Sequence, residues 1–227
     1  MISIIVPTYN EEKNLRNFIY NLYCIDEINN CEVIIVDGGS SDKTLDILEE
    51  LSYFGYKHFI SNNKGRANQM NFGASLSKGD ILWFIHADSI LQKDVIQKIV
   101  NSNYDVGCLK IQFYPNNFKM IINAKMSTNR VKYSNIAFGD QGIFLKKDIF
   151  NAIGGYSNIP IMEDYKLSQD LTNLGFKINI LDSVISTSSR RYRNNTLKTM
   201  LQMKRLQKMY RDGVDINLIA KYYKDIR

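Results

Sequence analysis

Proline, cysteine and long apolar runs are all scarce in this sequence of 227 residues, which has three prolines and three cysteines. The cysteines form no Cys-x-x-Cys motif and cannot all pair, so we expect reduced thiols in a cytoplasmic protein. The longest apolar runs, such as Ile81–Ile85, fall far short of the about 20 residues that cross a bilayer. We also expect no signal peptide, because Met1 leads directly into the apolar run Ile2–Val6. These absences exclude a secreted disulfide scaffold, an integral membrane protein and a fibre.

The residues that are present indicate one folded domain with an excess of basic side chains. Hydrophobic residues make up 44% of the chain and charged residues 23%, a balance that disfavours disorder. The 29 Lys and Arg against 23 Asp and Glu give a net charge of +6, which fits nucleic acid, an anionic membrane or a phosphorylated substrate. The sequence carries no recognition-helix or RNA-binding signature, so we expect no nucleic-acid partner.

The first half of the chain alternates short apolar runs with helical patterns. The apolar runs predict strands at Ile2–Val6, Val33–Val36, His58–Ile60 and Ile81–Ile85. The helical patterns lie between them, at Glu11–Tyr23, Thr44–Leu51 and Arg66–Ser77. This order predicts an α/β fold, a mostly parallel, Rossmann-like sheet flanked by helices.

The second half is less regular, and it ends in a helical tail. Its patterns predict strands at Val106–Phe113, Gly142–Leu145, Ile178–Leu181 and Val184–Thr187, and helices at Phe118–Asn129, Asp148–Ile153 and Glu163–Leu174. Two further helices follow from Thr196, separated by Asp212-Gly213. Because no linker interrupts the chain, we predict a single domain, 1–227, with halves at 1–105 and 106–195 and a short tail at 196–227.

Polar residues follow the predicted strands at the point where each one ends. Thr8, Tyr9 and Glu11 follow the first strand, and Asp37 ends the second. In parallel α/β sheets ligands bind beyond the carboxyl ends of the strands, so this placement is a functional signal. The Gly38-Gly39 pair after Asp37 also suits a tight turn. A turn and a contact to a base or ribose are equally good explanations of Asp37.

His86-Ala87-Asp88 comes directly after the fourth predicted strand. Residues two apart on an extended segment point the same way, so His86 and Asp88 could face one ligand. A hard divalent cation on a diphosphate often takes one or two carboxylates, which suits Asp88. The alternative is that Asp88 caps the next helix and His86 is structural.

Charged residues stand at the starts of two predicted helices. Arg66 is a cation at the positive end of a helix dipole, which a ligand phosphate, a base edge or simple solvation would explain. Glu163 and Asp164 suit the dipole at the start of theirs, and one of them could equally be a general base. The cluster Arg190–Arg193 follows the last strand, and arginine forks bind phosphate in a bidentate way.

These weak signals occur in a specific order along essentially the whole chain. The order is Val-Pro-Thr-Tyr-Asn-Glu-Glu, Val-Asp-Gly-Gly-Ser-Ser-Asp, Gly-Arg-Ala-Asn-Gln-Met-Asn, His-Ala-Asp-Ser, Gly-Gly-Tyr and Glu-Asp-Tyr. It resembles the family 2 glycosyltransferases of the GT-A fold. Phe-Gly-Asp-Gln-Gly-Ile-Phe and the closing Gly-Val-Asp…Leu-Ile-Ala-Lys-Tyr-Tyr resemble the subgroup named for arsenosugar biosynthesis.

The resemblance implies an inverting, metal-dependent, hexosyltransferase-like enzyme. Such an enzyme moves a sugar from a nucleotide-diphosphate donor, here expected to be UDP-linked, to a hydroxyl of a small-molecule or lipid-linked acceptor. It would use Mg²⁺ or Mn²⁺ as its divalent cation. Residues 1–105 would bind the nucleotide sugar, and residues 106–195 would hold the acceptor and the catalytic base.

The resemblance also implies roles for individual residues. Those expected around the uracil and ribose are Thr8, Tyr9, Glu11 and Asp37, with Arg66 beside the base. In the family's Asp-x-Asp motif, Asp88 keeps the metal-binding aspartate, whereas His86 replaces the first one. Asp164 would be the base. On the acceptor and phosphate side the expected residues are Asp140, Gln141, Glu163, Arg190 and Arg191.

Two alternatives concern class and location. A non-catalytic nucleotide-sugar-binding protein on the same scaffold would share these motifs, although keeping both Asp88 and Asp164 argues against it. The helix Leu197–Met209 carries apolar residues among basic ones. Such a helix either contacts an anionic membrane or packs on the core. The first case would make the protein peripheral at the inner face of the membrane, through its C-terminal helices.

Overall fold

The computed structural model describes residues 1–192 and 195–224, with the side chain of Lys224 excepted. Arg193 of the predicted basic cluster and residues 225–227 of the predicted tail lie outside the described residues. The strands are β1 (Ile2–Thr8), β2 (Cys31–Asp37), β3 (Lys57–Ile60), β4 (Ile81–Phe84), β5 (Ile90–Leu91), β6 (Val106–Tyr114), β7 (Phe144–Lys146) and β8 (Asn179–Ser188). The helices are α1 (Leu15–Leu22), α2 (Thr44–Glu50), α3 (Arg66–Leu76), α4 (Val95–Ser102), α5 (Phe118–Ser134), α6 (Lys147–Ala152), α7 (Glu163–Asn173), α8 (Thr196–Arg211) and α9 (Ile216–Lys224).

The strands form one sheet in the order β3-β2-β1-β4-β7-β6-β8-β5. The first four strands in this order are parallel, as the alternation of strands and helices predicted. β7 is antiparallel to both of its neighbours, β8 runs parallel to β6, and β5 closes the sheet antiparallel to β8. The register pairs Thr8 with Asp37, so the polar ends of β1 and β2 lie side by side.

The central strand β1 is buried on both faces, which explains its unbroken apolar run. Ile4 and Val6 belong to the core on one face, with α1, α2 and α4. Ile5 belongs to the core on the other face, with Ala67 and Met70 of α3. Because successive strand residues alternate between faces, a strand covered on both sides needs apolar residues at every position.

Three local predictions from the sequence were wrong or incomplete. The two strands predicted at Ile178–Leu181 and Val184–Thr187 form one strand, β8. Leu109 pairs with Leu181 and Lys110 with Val184, so a bulge at residues 182–183 keeps the pairing with β6 continuous. Helix α4 and the short strand β5 were not predicted. The segment after β4 is a turn, closed by Ser89 N–H donating to the His86 carbonyl at 3.1 Å, and not an extended strand end.

The helical tail forms as predicted and packs against the body of the protein. Leu206 of α8 and Ile219 of α9 are buried in a core that also holds Met162 and Tyr165, from the start of α7. The helix at 197–209 therefore does pack on the core, although Leu197 and Leu201 on its other side are exposed. Within the described residues, no helix combines the length and the apolar character needed to cross a membrane.

Candidate active site

Asp37, at the carboxyl end of β2, organises the loop that follows it. Its Oδ1 accepts hydrogen bonds from Gly39 N–H at 2.8 Å and Ser40 N–H at 2.7 Å. Its Oδ2 accepts from the Ser40 hydroxyl at 2.6 Å and the Thr8 hydroxyl at 3.2 Å. A carboxylate has about four acceptor positions, so these four donors use its full capacity. The sequence left turn and ligand contact equally open, and the structure shows the turn role directly.

The carboxyl ends of β1 and β2 are hydrogen-bonded to a helix residue that the sequence analysis did not single out. Gln69 on α3 donates from Nε2 to the carbonyls of Thr8 at 2.7 Å and Val36 at 2.8 Å. Tyr9, the first residue after β1, is 48% exposed, so its ring is accessible to a planar ligand group. Gln69 is the fourth residue of a predicted helix, and only its burial distinguishes it from a surface residue.

His86 and Asp88 contact different partners in the structure. Asp88 Oδ2 lies 3.9 Å from Arg190 Nη2. The His86 ring packs against Gly139 so closely that a Cβ on that glycine would lie 2.8 Å from His86 Nε2. Both residues stand in a turn and not in a strand, so the two-residue periodicity does not apply to them, and a shared ligand stays a prediction.

Glu11 and Arg190 form a bidentate ion pair beside Asp88. The guanidinium donates to the Glu11 carboxylate at 2.7 and 3.3 Å, and Glu11 N–H is held by the Thr44 hydroxyl at 2.8 Å. Burial raises the pKa of Asp88, and the charge of Arg190 opposes that rise. The structure thus brings together three of the predicted residues, from the beginning, middle and end of the chain.

A second charged cluster joins α3 to the start of α7. Arg66 donates from Nε to Glu163, and its Nη2 lies 3.8 Å from Asp164 Oδ2. These two carboxylates explain why a cation stands at the start of α3, for which the sequence suggested a ligand or solvent. Both carboxylates are buried, whereas Arg66 is 36% exposed.

Asp164 combines burial with a fixed orientation. Its Oδ2 accepts a hydrogen bond from Gly139 N–H at 2.8 Å. Burial raises the pKa of Asp164 to about 6, and the neighbouring Glu163 adds to the rise while Arg66 opposes it. A carboxylate with its pKa near neutrality can accept a proton under ordinary conditions, as a general base must.

Asp140 and Gln141 lie in a short helical turn next to Asp164. Burial raises the pKa of Asp140, against the opposing charges of Arg130 and Arg191. Gln141 Oε1 accepts from Arg130 Nη2 at 2.8 Å. Within the part of the chain that the structure describes, Asp140 Oδ1 and Gln141 Nε2 are buried atoms without a hydrogen-bond partner. Such atoms in a polar site are expected to meet a ligand or water.

Arg130 is the charged residue near the site that the sequence analysis missed. It lies on α5, with its guanidinium 4.0 Å from the centre of the Phe138 ring. Arg191 is also covered by an aromatic ring, that of Tyr223 on α9, at 5.1 Å. The tail therefore contributes directly to the surroundings of the site. Helical periodicity could not reveal this, because contacts between distant segments leave no local signal.

The surroundings of Asp88 suit a divalent cation that arrives with its substrate. The structure describes no group of three or more His, Cys, Asp and Glu side chains that could hold a metal ion by itself. Mg²⁺ in particular is commonly bound by one or two carboxylates together with substrate phosphates and water. The side chain of Asp88 is 14% exposed, so one carboxylate is accessible for this chemistry.

Comparison with known proteins identifies the family to which this site belongs. Residues 3–157 match the family described as Glycosyl transferase family 2. The chain belongs to this family. The matched region contains the site residues from Thr8 to Gln141 and ends before Glu163 and Asp164.

Curated relatives of this family member are glycosyltransferases by name. An uncharacterized glycosyltransferase of Haemophilus influenzae is 32% identical over 197 residues, which cover 79% of this chain and 66% of the relative. The probable glycosyltransferase YdaM of Bacillus subtilis is 24% identical, with 82% of this chain and 50% of the relative covered. The chain thus spans about half to two thirds of the length of these relatives.

Solved structures of other proteins share the fold. The S. aureus TarS 1–349 complex with UDP-GlcNAc has a TM-score of 0.66 at 19% identity and covers 83% of this chain and 58% of TarS 1–349. The mannosyltransferase PcManGT from Pyrobaculum calidifontis, in complex with GDP-Man and Mn²⁺, has a TM-score of 0.69 at 20% identity, covering 98% and 69%. The fold is GT-A-like, as the resemblance implied.

Proposed function

We propose that the chain is an inverting, metal-dependent glycosyltransferase that moves a sugar from a UDP-linked donor to a hydroxyl acceptor. The observation that carries this proposal is Asp164, a buried carboxylate of raised pKa that is oriented by Gly139 N–H. Asp140 lies within electrostatic reach of both Asp164 and Asp88. Asp164, as the general base, and Asp88, as the carboxylate nearest the donor diphosphate, would therefore border the same polar site.

The donor would bind at the carboxyl ends of β1 and β2. The exposed ring of Tyr9 suits stacking on the uracil. The Thr8 and Ser40 hydroxyls are already bound to Asp37, so a ribose hydroxyl that contacts this carboxylate must replace one of them. Relatives in solved structures hold UDP-GlcNAc or GDP-Man, which supports a nucleotide-sugar donor.

Asp88 would hold the Mg²⁺ or Mn²⁺ together with the donor diphosphate. When bound, such an ion neutralises charge on the departing phosphate oxygens. The guanidinium of Arg190 lies 3.9 Å from the carboxylate of Asp88, and Arg191 is the next residue in the sequence. Both arginines would bind the leaving diphosphate, because arginine forks match phosphate oxygens. Mn²⁺ in the PcManGT complex supports this cation class.

Asp164 would remove the proton from the attacking hydroxyl. The hydroxyl oxygen forms a bond to the anomeric carbon as the bond from that carbon to the diphosphate oxygen breaks, and the proton passes to the carboxylate. Attack from the side opposite the leaving group inverts the configuration. Glu163 holds Arg66 beside Asp164. Arg66 would therefore act on the reaction indirectly, by stabilising the ionised form of the general base Asp164.

The acceptor would bind against Asp140 and Gln141, whose buried atoms lack partners in the described structure. A hydroxylated small molecule or lipid-linked sugar fits, since each hydroxyl can both donate to Asp140 and accept from Gln141. One relative is named a dolichyl phosphate-linked sugar transferase, which supports a lipid-linked acceptor. We further propose that the chain belongs to the arsenosugar subgroup and acts in the cytoplasm. Its C-terminal helices would contact the inner face of the membrane peripherally.

A thermal-shift screen tests this function. UDP-, GDP- and dTDP-sugars are added with and without Mn²⁺, and stabilisation is expected only when nucleotide and metal are both present. A ligand at 100 times its Kd adds about 2.7 kcal/mol to the free energy of unfolding. Asp88→Asn should abolish the metal-dependent part, whereas Asp182→Asn, on an exposed carboxylate, should keep it.

Release of the nucleoside diphosphate from a donor that binds separates an enzyme from a binding protein. Wild-type protein should release it slowly to water and faster with an acceptor. Binding of a donor without any release would favour the non-catalytic alternative. If none of the donors shifts the melting temperature, with or without Mn²⁺, the proposed function as a whole is contradicted.

A further inference from the structure

Helix α5 has an apolar outer face that the other described residues leave exposed. Its buried residues, Met120, Ser127 and Val131, lie on one side of the helix. Phe118 and Tyr133 are each 75% exposed and lie on the opposite side. The further exposed apolar residues of this outer face are Ile121, Ile122 and Met126. Scattered exposed apolar residues are common, but a continuous stripe along one helix indicates a contact surface.

The same helix and its neighbour α8 account for the excess of basic over acidic residues in the protein. Together α5 and α8 contain nine Lys and Arg and no Asp or Glu, which leaves 20 basic against 23 acidic residues elsewhere. Lys119 and Lys125 are exposed on α5, and neither forms an ion pair with a carboxylate of the described residues. The net charge of +6 is therefore concentrated on two helices.

Helix α8 packs against α5 and presents a surface of the same composition. Leu197 is 54% exposed and Leu201 is 67% exposed, on the side opposite the buried Leu206. The exposed basic residues around them are Lys198, Lys204 and Arg205. Two adjacent helices thus combine exposed apolar side chains with lysines and arginines of which, among the described residues, only Lys208 forms a salt bridge, with Asp212.

We propose that the outer faces of α5 and α8 bind the anionic surface of a phospholipid bilayer. Amphipathic helices with lysines beside apolar side chains insert those side chains at the headgroup boundary and gain from attraction to anionic lipids. The charge is complementary to such a surface along both helices, with no acidic side chain on either to oppose it. Binding through α5 extends the contact well beyond the C-terminal helices.

Docking by this surface places the proposed acceptor site next to the bilayer, a consequence that rests on the proposed function. Arg130, which contacts Gln141, lies on the same helix as Ile122. They are eight positions apart, which is about 12 Å along the helix axis. A lipid-linked acceptor in the bilayer would therefore be presented close to Asp140 and Gln141.

Co-sedimentation of the full chain with vesicles tests the surface without any donor. The vesicles are phosphatidylcholine alone or phosphatidylcholine with about a third phosphatidylglycerol, and the wild type should pellet with the anionic ones and be released by salt. Phe118→Ser/Ile121→Ser and Lys119→Glu/Lys125→Glu should each weaken binding at least about tenfold. Matched controls at exposed sites elsewhere, Tyr53→Ser and Lys43→Glu/Lys93→Glu, should bind as the wild type does.

The outcomes separate this proposal from its alternatives. Wild-type protein that stays in solution with anionic vesicles at low salt would overturn it, as would equal losses in the control variants. A dimer by light scattering that Phe118→Ser/Ile121→Ser dissociates, without vesicle binding, would assign the face to a second copy instead. Vesicle binding needs no nucleotide sugar, so its failure can be told apart from failure of the proposed transfer.

Discussion

Asp164 shows how one carboxylate can be prepared for proton transfer by its surroundings. It is buried beside Glu163, and both effects favour the protonated acid, while Gly139 N–H and Arg66 favour the ionised form. The balance leaves its pKa at about 6, above the 3.8 that is usual for aspartate. A free surface aspartate would be too weak a base for this role.

Asp164→Asn is expected to retain donor binding and lose transfer by about 10²–10⁴-fold, which is the typical contribution of a positioned general base. The amide keeps an oxygen that can accept from Gly139 N–H, so the fold should survive. Steady-state kinetics and the donor thermal shift together measure the effect. Asp170→Asn, on the same helix but paired with Lys166, is the matched control.

The pH profile provides an independent reading of the same prediction. Because the base must be ionised, kcat/KM should fall as pH drops below about 6, the pKa of Asp164, and level off above it. Full activity of Asp164→Asn, or a wild-type profile that is flat between pH 5 and 7 (about one unit on either side of the pKa), would remove Asp164 from the role of base.

At the scale of the elements, close contact between α3 and the sheet holds the donor loops in place. Gly73 lets the helix approach β1 so closely that an added Cβ would lie 2.6 Å from Ile5 Cγ2 and 3.2 Å from Val36 Cγ2. The same helix carries Gln69, which donates hydrogen bonds to the carbonyls of Thr8, the last residue of β1, and Val36, the last but one of β2. Packing of α3 and the geometry of the loops are therefore linked.

Gly73→Ala is expected to lower the free energy of unfolding by about 1–2 kcal/mol. Overpacking a core costs about 1–3 kcal/mol, and alanine recovers up to about 1 kcal/mol of helix propensity. Urea denaturation measures the change. Ser75→Ala, an exposed position of α3, should stay within about 0.5 kcal/mol. An unchanged midpoint for Gly73→Ala would mean that α3 can move away from β1 freely.

At the scale of the whole molecule, the tail and the site share one apolar core. Leu206 and Ile219 pack with Met162 and Tyr165, the residues on either side of Glu163 and Asp164. The C-terminal helices therefore bury the segment that holds the proposed base. We expect the tail and the sheet to unfold in one cooperative transition, in keeping with a single domain over 1–227.

Leu206→Ala is expected to lower the global free energy of unfolding by about 2–5 kcal/mol, as other buried leucines do. Leu201→Ala offers a matched control on the same helix, since Leu201 is 67% exposed and Leu206 is 3% exposed, and it should change stability by less than about 0.5 kcal/mol. Denaturation followed by circular dichroism and by tyrosine fluorescence should give coincident transitions. A separate early transition of the tail would contradict the shared core.

Local patterns predicted the features that depend on neighbours in sequence. The buried strand β1, the helices on both sides of it and the polar residues at the strand ends all follow from periodicity and apolar runs. The motif order was specific enough to indicate the family, which the match over residues 3–157 confirms. The continuity of β8 and the presence of helix α4 and strand β5 were not predicted, because short or irregular segments carry a weak periodic signal.

The partners of each charged residue, by contrast, depend on contacts between segments far apart in the chain. Arg66 meets Glu163, Arg190 meets Glu11, and Arg130 meets Gln141. A charge at a given position can be neutralised, solvated or used by a ligand, and the local sequence is the same in each case. Folding brings these residues together and sets the burial that raises the pKa of Asp164. The sequence therefore indicated which residues could react, and their three-dimensional neighbours determine which proton-transfer role each can fill.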